Sequence, residues 1–204
     1  MSDISPSRPL PRILDVVEKF VVALLLSALA YRIFLSMDVN PWNILFLIGE
    51  ATVVLFVLLR RGAGLISLRP VDWVIGFAGT CLPLLLIPNG NGWLGAVPIL
   101  LAGLLISIGA KLSLRRSFGI VAANRGIKTS GLYAVVRHPM YLGYFLTEGA
   151  ALALNPSVWN ASILTLWAIL QLSRIHAEER ILMQDNRYQQ HAVRVRYRLL
   201  PFIY

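Results

Sequence analysis

Apolar residues run along this chain in long blocks, and polar residues collect between them. Four blocks, about Ile13–Ser36, Trp42–Leu59, Val71–Ile87 and Trp93–Leu114, approach the ~20 residues that a helix needs to cross a bilayer core. Turn residues separate them: Asn40-Pro41, Arg60-Arg61-Gly62 and Pro88-Asn89-Gly90-Asn91-Gly92. Trp42 stands where an interfacial aromatic belongs, and Glu50 lies near the middle of its block. The fourth block carries Pro98 early, then Gly103, Ser107, Gly109 and Ala110, small residues that let helices approach closely in lipid.

The pattern changes after Leu114. Residues 115–139 are too polar and too rich in Gly, Lys and Arg for a span. Two shorter apolar runs follow, Met140–Leu154 and Val158–Leu172, divided by Asn155-Pro156-Ser157. They predict a tilted or partly submerged helical hairpin, whose second arm continues as a polar helix from Ser173 to about Val195. The expected fold is all-α: a polytopic membrane helix bundle of about four full spans plus a C-terminal helical hairpin. It divides into a cytoplasmic tail over 1–12, a four-helix membrane region over 13–114, and a third region over 115–204 that carries the candidate chemistry.

Composition strengthens the membrane assignment. The chain of 204 residues is 57% hydrophobic and 14% charged, against about 25% charged in soluble domains. Its formal charge of +9 would suggest nucleic acid in a soluble protein; here it belongs to loops on one side of a bilayer, and no nucleic-acid partner is expected. All 19 Lys and Arg residues except Arg32 fall in segments that would share one side. By the positive-inside rule that side is cytoplasmic, and it holds both termini and both polar patches of a multi-pass protein. Arg8 and Arg12 before an apolar run, with Ala28-Leu29-Ala30 beyond, resemble a cleavable signal; but Asp15, Glu18 and Lys19 interrupt it, and the retained helix is favoured. Cys81, the single cysteine, excludes a disulfide framework and a thiolate cluster, and serves packing.

The candidate chemistry sits in two polar patches. The first is Gly131-Leu132-Tyr133-Ala134-Val135-Val136-Arg137-His138-Pro139-Met140-Tyr141-Leu142-Gly143, approached by Lys111, Arg115, Arg116, Arg125 and Lys128. Pro139 disfavours helical geometry at His138 and suits the first turn of a helix. Arg137 and His138 then lie at a helix N-terminus, where free N–H groups favour an anion. Tyr133, Tyr141 and Tyr144 offer faces that can hold a cation. An anion site beside a cation site suits a zwitterionic cofactor with an added positive centre. In the second patch Arg174 and Glu178 stand four apart, on one helix face, either as an ion pair or as ligand-binding groups. Glu179 is a like-charged neighbour, so one of the two glutamates points elsewhere. No zinc-binding spacing, Ser-His-Asp set or phosphate-cradling loop occurs.

Thr129-Ser130-Gly131-Leu132-Tyr133 with Arg137-His138-Pro139-x-Tyr141-x-Gly143, then Arg174-x-x-x-Glu178-Glu179-x-x-Leu182, Tyr188 and Leu200-Pro201, resembles the isoprenylcysteine carboxyl methyltransferase family over about 111–201. The chain departs from that pattern at Arg125-Gly126-Ile127-Lys128, where the family carries His-x-Leu-Val, and in lacking Phe-Gly between Leu182 and Tyr188. The resemblance implies S-adenosylmethionine in a cytoplasmic pocket and a hydrophobic acceptor entering from the membrane, either a lipophilic small molecule or a lipidated substrate. It places Tyr133, His138, Pro139, Met140 and Tyr141 at the cofactor, with backbone contacts from Arg125, Gly126, Ile127 and Lys128. Glu178 would reach the cofactor, and Arg174 would serve the acceptor as the catalytic residue.

A carboxylate acceptor is nucleophilic without losing a proton, whereas an amine or thiol generally needs a base. Arg174 suits a carboxylate, and His138 or His176 could act as a base. Carboxyl methylation is therefore the leading expectation. Phospholipid N-methylation, a sterol-reductase-like NADPH enzyme and a non-catalytic scaffold are the alternatives. Glu148, seven residues after Tyr141 on the same face, is either a neutral acid pinning helices or, with Tyr144, an acceptor contact.

Overall fold

The structure, a computed structural model, describes residues 9–35, 37, 43–89, 91–201 and 203, without the side chains of 9–12, 14, 15, 43 and 50. Residues 1–8 of the expected tail over 1–12, the Asn40-Pro41 turn, Trp42 and the Glu50 side chain lie outside this description. Seven α-helices are present among the described residues: α1 Pro9–Leu35, α2 Asn43–Leu59, α3 Pro70–Cys81, α4 Val97–Leu114, α5 Pro139–Leu154, α6 Val158–Leu182 and α7 Asn186–Arg194. Among the described residues the one ladder is a two-residue antiparallel pair, β1 Leu65–Ile66 against β2 Ala123–Asn124, with Leu65 opposite Asn124. The protein is all-α in class.

The helices pack chiefly as α1 with α2, α3 with α6, and α4 with α5. The α4–α5 contact is the closest, and the small residues explain it. A Cβ on Gly103 would come within 2.7 Å of the Thr147 backbone nitrogen, and one on Gly143 within 2.7 Å of the Gly103 carbonyl oxygen. The predicted hairpin arms α5 and α6 share few contacts, each facing its own partner instead. The space left between them is where the cavities form.

Three boundaries differ from expectation. α1 begins at Pro9, inside the tail expected over 1–12, because prolines at 9 and 11 are tolerated in a helix's first turn. The third block stays α-helical only to Cys81; Pro83, which has no N–H to donate, sits in a 3-10 turn over Leu82–Leu85. The polar helix after Ser173 is not continuous either. α6 ends at Leu182, and Asp185 starts α7 by accepting the Arg187 N–H at 2.9 Å.

One described helix, α4 with its flanking 3-10 turns (Leu94–Ser117), is long and apolar enough to cross a membrane by length and composition; Ile44–Leu59 and Pro70–Leu85 are apolar but shorter. Large apolar side chains stay outward on several helices, with Phe20 70%, Leu105 69% and Val158 85% exposed. Such surface is foreign to a water-facing domain.

Polar segments sort to opposite ends. At one end Asn89 meets Asn155 and Pro156, and Trp93 meets Ala153. At the other, Arg61 donates its backbone N–H to Arg116, Ser67 to Ala122, and Arg137 and His138 to Tyr197 and Arg198. The main core, with Val22, Leu26, Val57, Phe118, Tyr141 and Ile175, lies toward this second end.

Candidate active site

Gly131 turns the chain at φ +64°, a conformation that glycine adopts without strain. A 3-10 turn over Gly131–Ala134 then buries Tyr133, and Pro139 opens α5 at its first position. This local geometry points the polar knot at the segment of α6 beyond Ser173. The two patches meet.

One cavity is lined by Arg125, Gly126, Ile127, Lys128, Tyr133, His138, Met140, Tyr141 and Glu178, together with Phe118, Arg137 and His191. The structure thus brings together every residue expected at the cofactor except Pro139, which is buried at the start of α5. A second cavity is lined by Tyr144, Glu148, Trp167, Gln171 and Arg174, and shares Phe118 with the first. Arg174 and Glu178 do not close on each other. Arg174 donates to Gln171 and to the Ile120 carbonyl, both at 3.0 Å, while Glu178 accepts the Tyr141 hydroxyl. Tyr141 stands between them, its ring centroid 5.5 Å from the Arg174 guanidinium.

The helix N-terminus is not an open anion site. The Arg137 and His138 backbone N–H groups go to the Tyr197 and Arg198 carbonyls, both within 3 Å. The nearby anion is the protein's own Glu179, 3.1 Å from Arg137, 3.2 Å from His138 and 2.7 Å from Arg198. Burial alone would raise the Glu179 carboxyl, but hydrogen bonds from His138 and Arg198 and the nearby Arg137 charge hold it at about 2. Nor are all the aromatic faces open to a ligand cation. Arg174 lies over Tyr141 and Lys111 over Tyr144, at 5.0 Å, leaving Tyr133. Burial, with Glu178 nearby, lifts the Tyr133 phenol well above its usual range, so it stays neutral.

Phe118, Gln171 and His191 carry no signal in the sequence, and Glu179 stands there only as the like-charged neighbour of Glu178. For Glu179 the Glu-Glu pair was the signal, since both cannot leave the helix in one direction. His191 is buried on α7 and held below its ordinary value by burial and by Arg137. Its Nε2 and the Arg137 Nε are buried without a hydrogen-bond partner among the described residues, and both residues line the first cavity. Among the described residues no three His, Cys, Asp or Glu gather as a metal site.

Fold and site together define an apolar helical protein with a polar, aromatic cavity at its basic end, adjoining a second cavity inside the bundle. Residues 97–184, less than half of the chain, match the model of the isoprenylcysteine carboxyl methyltransferase (ICMT) family. The resemblance carried by the two motifs is borne out over that segment, which takes in α4, the loop after it, α5 and α6. The match supports a membrane methyltransferase. No curated protein matches the chain.

Proposed function

We propose that the protein transfers the methyl group of S-adenosylmethionine to a carboxylate on a hydrophobic, membrane-borne acceptor. The observation that carries this reading is the division of labour on one turn of α6: Glu178 lines one cavity and Arg174 the adjoining one, with Tyr141 between.

The donor set of the first cavity fits that cofactor. Glu178 offers a carboxylate to an ammonium group, and the Tyr133 ring faces the cavity. Leu114, Phe118 and Leu182 offer apolar walls, and the Arg137 Nε and His191 Nε2 atoms need partners. The cavity, about 80 Å³, is narrower than the ~300–1,000 Å³ of ligand pockets. Ile127 and His191 line both this cavity and an outer recess of about 580 Å³ beside α7. The cofactor, when bound, supplies a methyl group already activated on a sulfonium.

The chain's own part is positioning and exclusion of water. Arg174, braced by Gln171 and Ile120, holds the acceptor carboxylate. Phe118, Trp167 and Tyr144 keep the site dry. No base is needed for this acceptor. Most of the basic residues gather at the end that holds the site, and by the positive-inside rule this favours a cytoplasmic side for it.

The test is incubation of purified protein in lipid nanodiscs with methyl-labelled cofactor, N-acetyl-S-farnesylcysteine and phosphatidylethanolamine. Base-labile label on the farnesylcysteine is expected. Label on phosphatidylethanolamine alone moves the reading to N-methylation. Binding of NADPH in place of S-adenosylhomocysteine replaces it with a reductase.

A further inference from the structure

Glu18 lies on α1, far outside the segment that matches the family, and lines none of the cavities described above. Its side chain is nonetheless completely buried. Oε1 accepts the backbone N–H groups of Ile120 at 3.0 Å and Val121 at 2.9 Å. Arg60, just past α2, lies 2.8 Å from Oε1 and donates to Oε2 at 2.9 Å; Arg125 donates to Oε2 at 3.1 Å. Burying a carboxylate is costly unless partners replace its water. Two guanidinium groups and two amides do so here.

The segment gripped in this way is common to both cavities. Ile120 gives its N–H to Glu18, and its carbonyl accepts Arg174 Nη2 at 3.0 Å. Phe118 and Ile120 line the Arg174 cavity, and Arg125 to Lys128 line the Glu178 cavity. From the other side Gly76 of α3 leaves little clearance, since a Cβ there would meet the Ile120 carbonyl oxygen at 3.3 Å. The loop is thus set by α1, the end of α2, α3 and α6 together.

We infer that Glu18 is a positioning residue for both binding steps: through Ile120 it sets the place of Arg174, and through Arg125 it sets the Arg125–Lys128 wall. The roles of the two cavities rest on the function proposed above; the placement of the loop does not. A purely structural ion pair makes a different prediction, because its loss lowers stability and leaves each folded molecule as active as before.

The experiment uses the full chain in nanodiscs. Glu18→Gln leaves two buried guanidinium groups without their anion, so it is paired with Glu18→Gln/Arg60→Met, which removes one charge of each sign, and with Arg125→Lys. Three quantities are measured beside the melting temperature: amide hydrogen exchange over 118–128, affinity for S-adenosylhomocysteine, and kcat with N-acetyl-S-farnesylcysteine. Expected are faster exchange over 118–128 and cofactor-product affinity reduced about tenfold. Turnover should fall by up to about 100-fold, the scale of a ~1 Å misplacement remote from the chemistry. These losses should appear in the double variant at near wild-type melting temperature, and Glu18→Asp should regain part of them. A folded double variant with wild-type exchange and affinity overturns the inference, as does a loss that follows melting temperature alone. If the wild-type chain leaves farnesylcysteine unmethylated, the acceptor reading fails, and exchange and product affinity still decide the role of Glu18. If it does not bind the product either, unchanged exchange over 118–128 overturns the inference and faster exchange supports it.

Discussion

A helix turns about 100° per residue, and between Glu178 and Glu179 that rotation separates two environments. Glu178 faces the cavity and the Tyr141 hydroxyl, while Glu179 faces Arg137 and Arg198; His138 stands between, 3.2 Å from Glu179 and 3.9 Å from Glu178. Glu178→Ala should therefore weaken S-adenosylhomocysteine binding in calorimetry with little change in melting temperature. Arg174→Ala should keep that affinity and lose turnover by about 2–4 kcal/mol in activation free energy, the scale for one preorganised donor. Equal, mild effects of both substitutions on affinity and rate would refute the assignment. Glu179→Gln should cost stability, about 3 kcal/mol for a broken buried pair, because Arg137 keeps its charge. The Glu179 carboxyl is held at about 2 against a usual 4.5. A depressed folded value means that the stabilisation is complete above about pH 4.5 and is lost as pH falls toward 2. The melting-temperature gap between wild type and Glu179→Gln should be constant from pH 6 to 8 and shrink steadily below 4.5; a gap as wide at pH 3 as at pH 7 would contradict it.

At the scale of helices, α4 and α5 are joined backbone to backbone. A methyl group on Gly143 would meet the Gly103 carbonyl and the Ser107 nitrogen, each at 2.7 Å, and neither can move without its helix. Gly143→Ala should cost about 1–3 kcal/mol, as overpacking does, measured by thermal unfolding in detergent. Equal stability would mean that the helices part freely. This contact was readable in advance because Gly103 and Ser107 stand one turn apart in an apolar run. The gathering of Tyr133, His138, Tyr141 and Glu178 was readable for a related reason, since motif residues flank a short helical hairpin. What was hidden depended on distance along the chain. The faces of Tyr141 and Tyr144 were expected to be open, and residues 33 positions away in either direction cover them. The break at Asp185 was hidden because residues on both sides are polar, so no change of periodicity marked it. α7 carries His191 at the cavity wall, so added S-adenosylhomocysteine should slow its amide exchange. Unaltered exchange in α7 would place the product elsewhere.

For the molecule as a whole, the sorting of turns to opposite ends gives the proposed topology a direct check. Single cysteines introduced at Asn89 and Arg187, in a Cys81→Ala background, should be labelled from opposite sides of sealed vesicles, with the Arg187 side cytoplasmic. Labelling from the same side would dismantle the multi-pass arrangement. Glu18 adds a constraint of another kind, one of time. Its partners Arg60 and Arg125 follow it by 42 and 107 residues. At about 5–20 residues per second of synthesis, α1 exists for roughly 2–8 s before Arg60 is made and roughly 5–20 s before Arg125. Through that interval an apolar helix holds a carboxylate that has neither cation. The nascent α1 must wait in the translocon or at the bilayer surface until the later helices arrive to receive it.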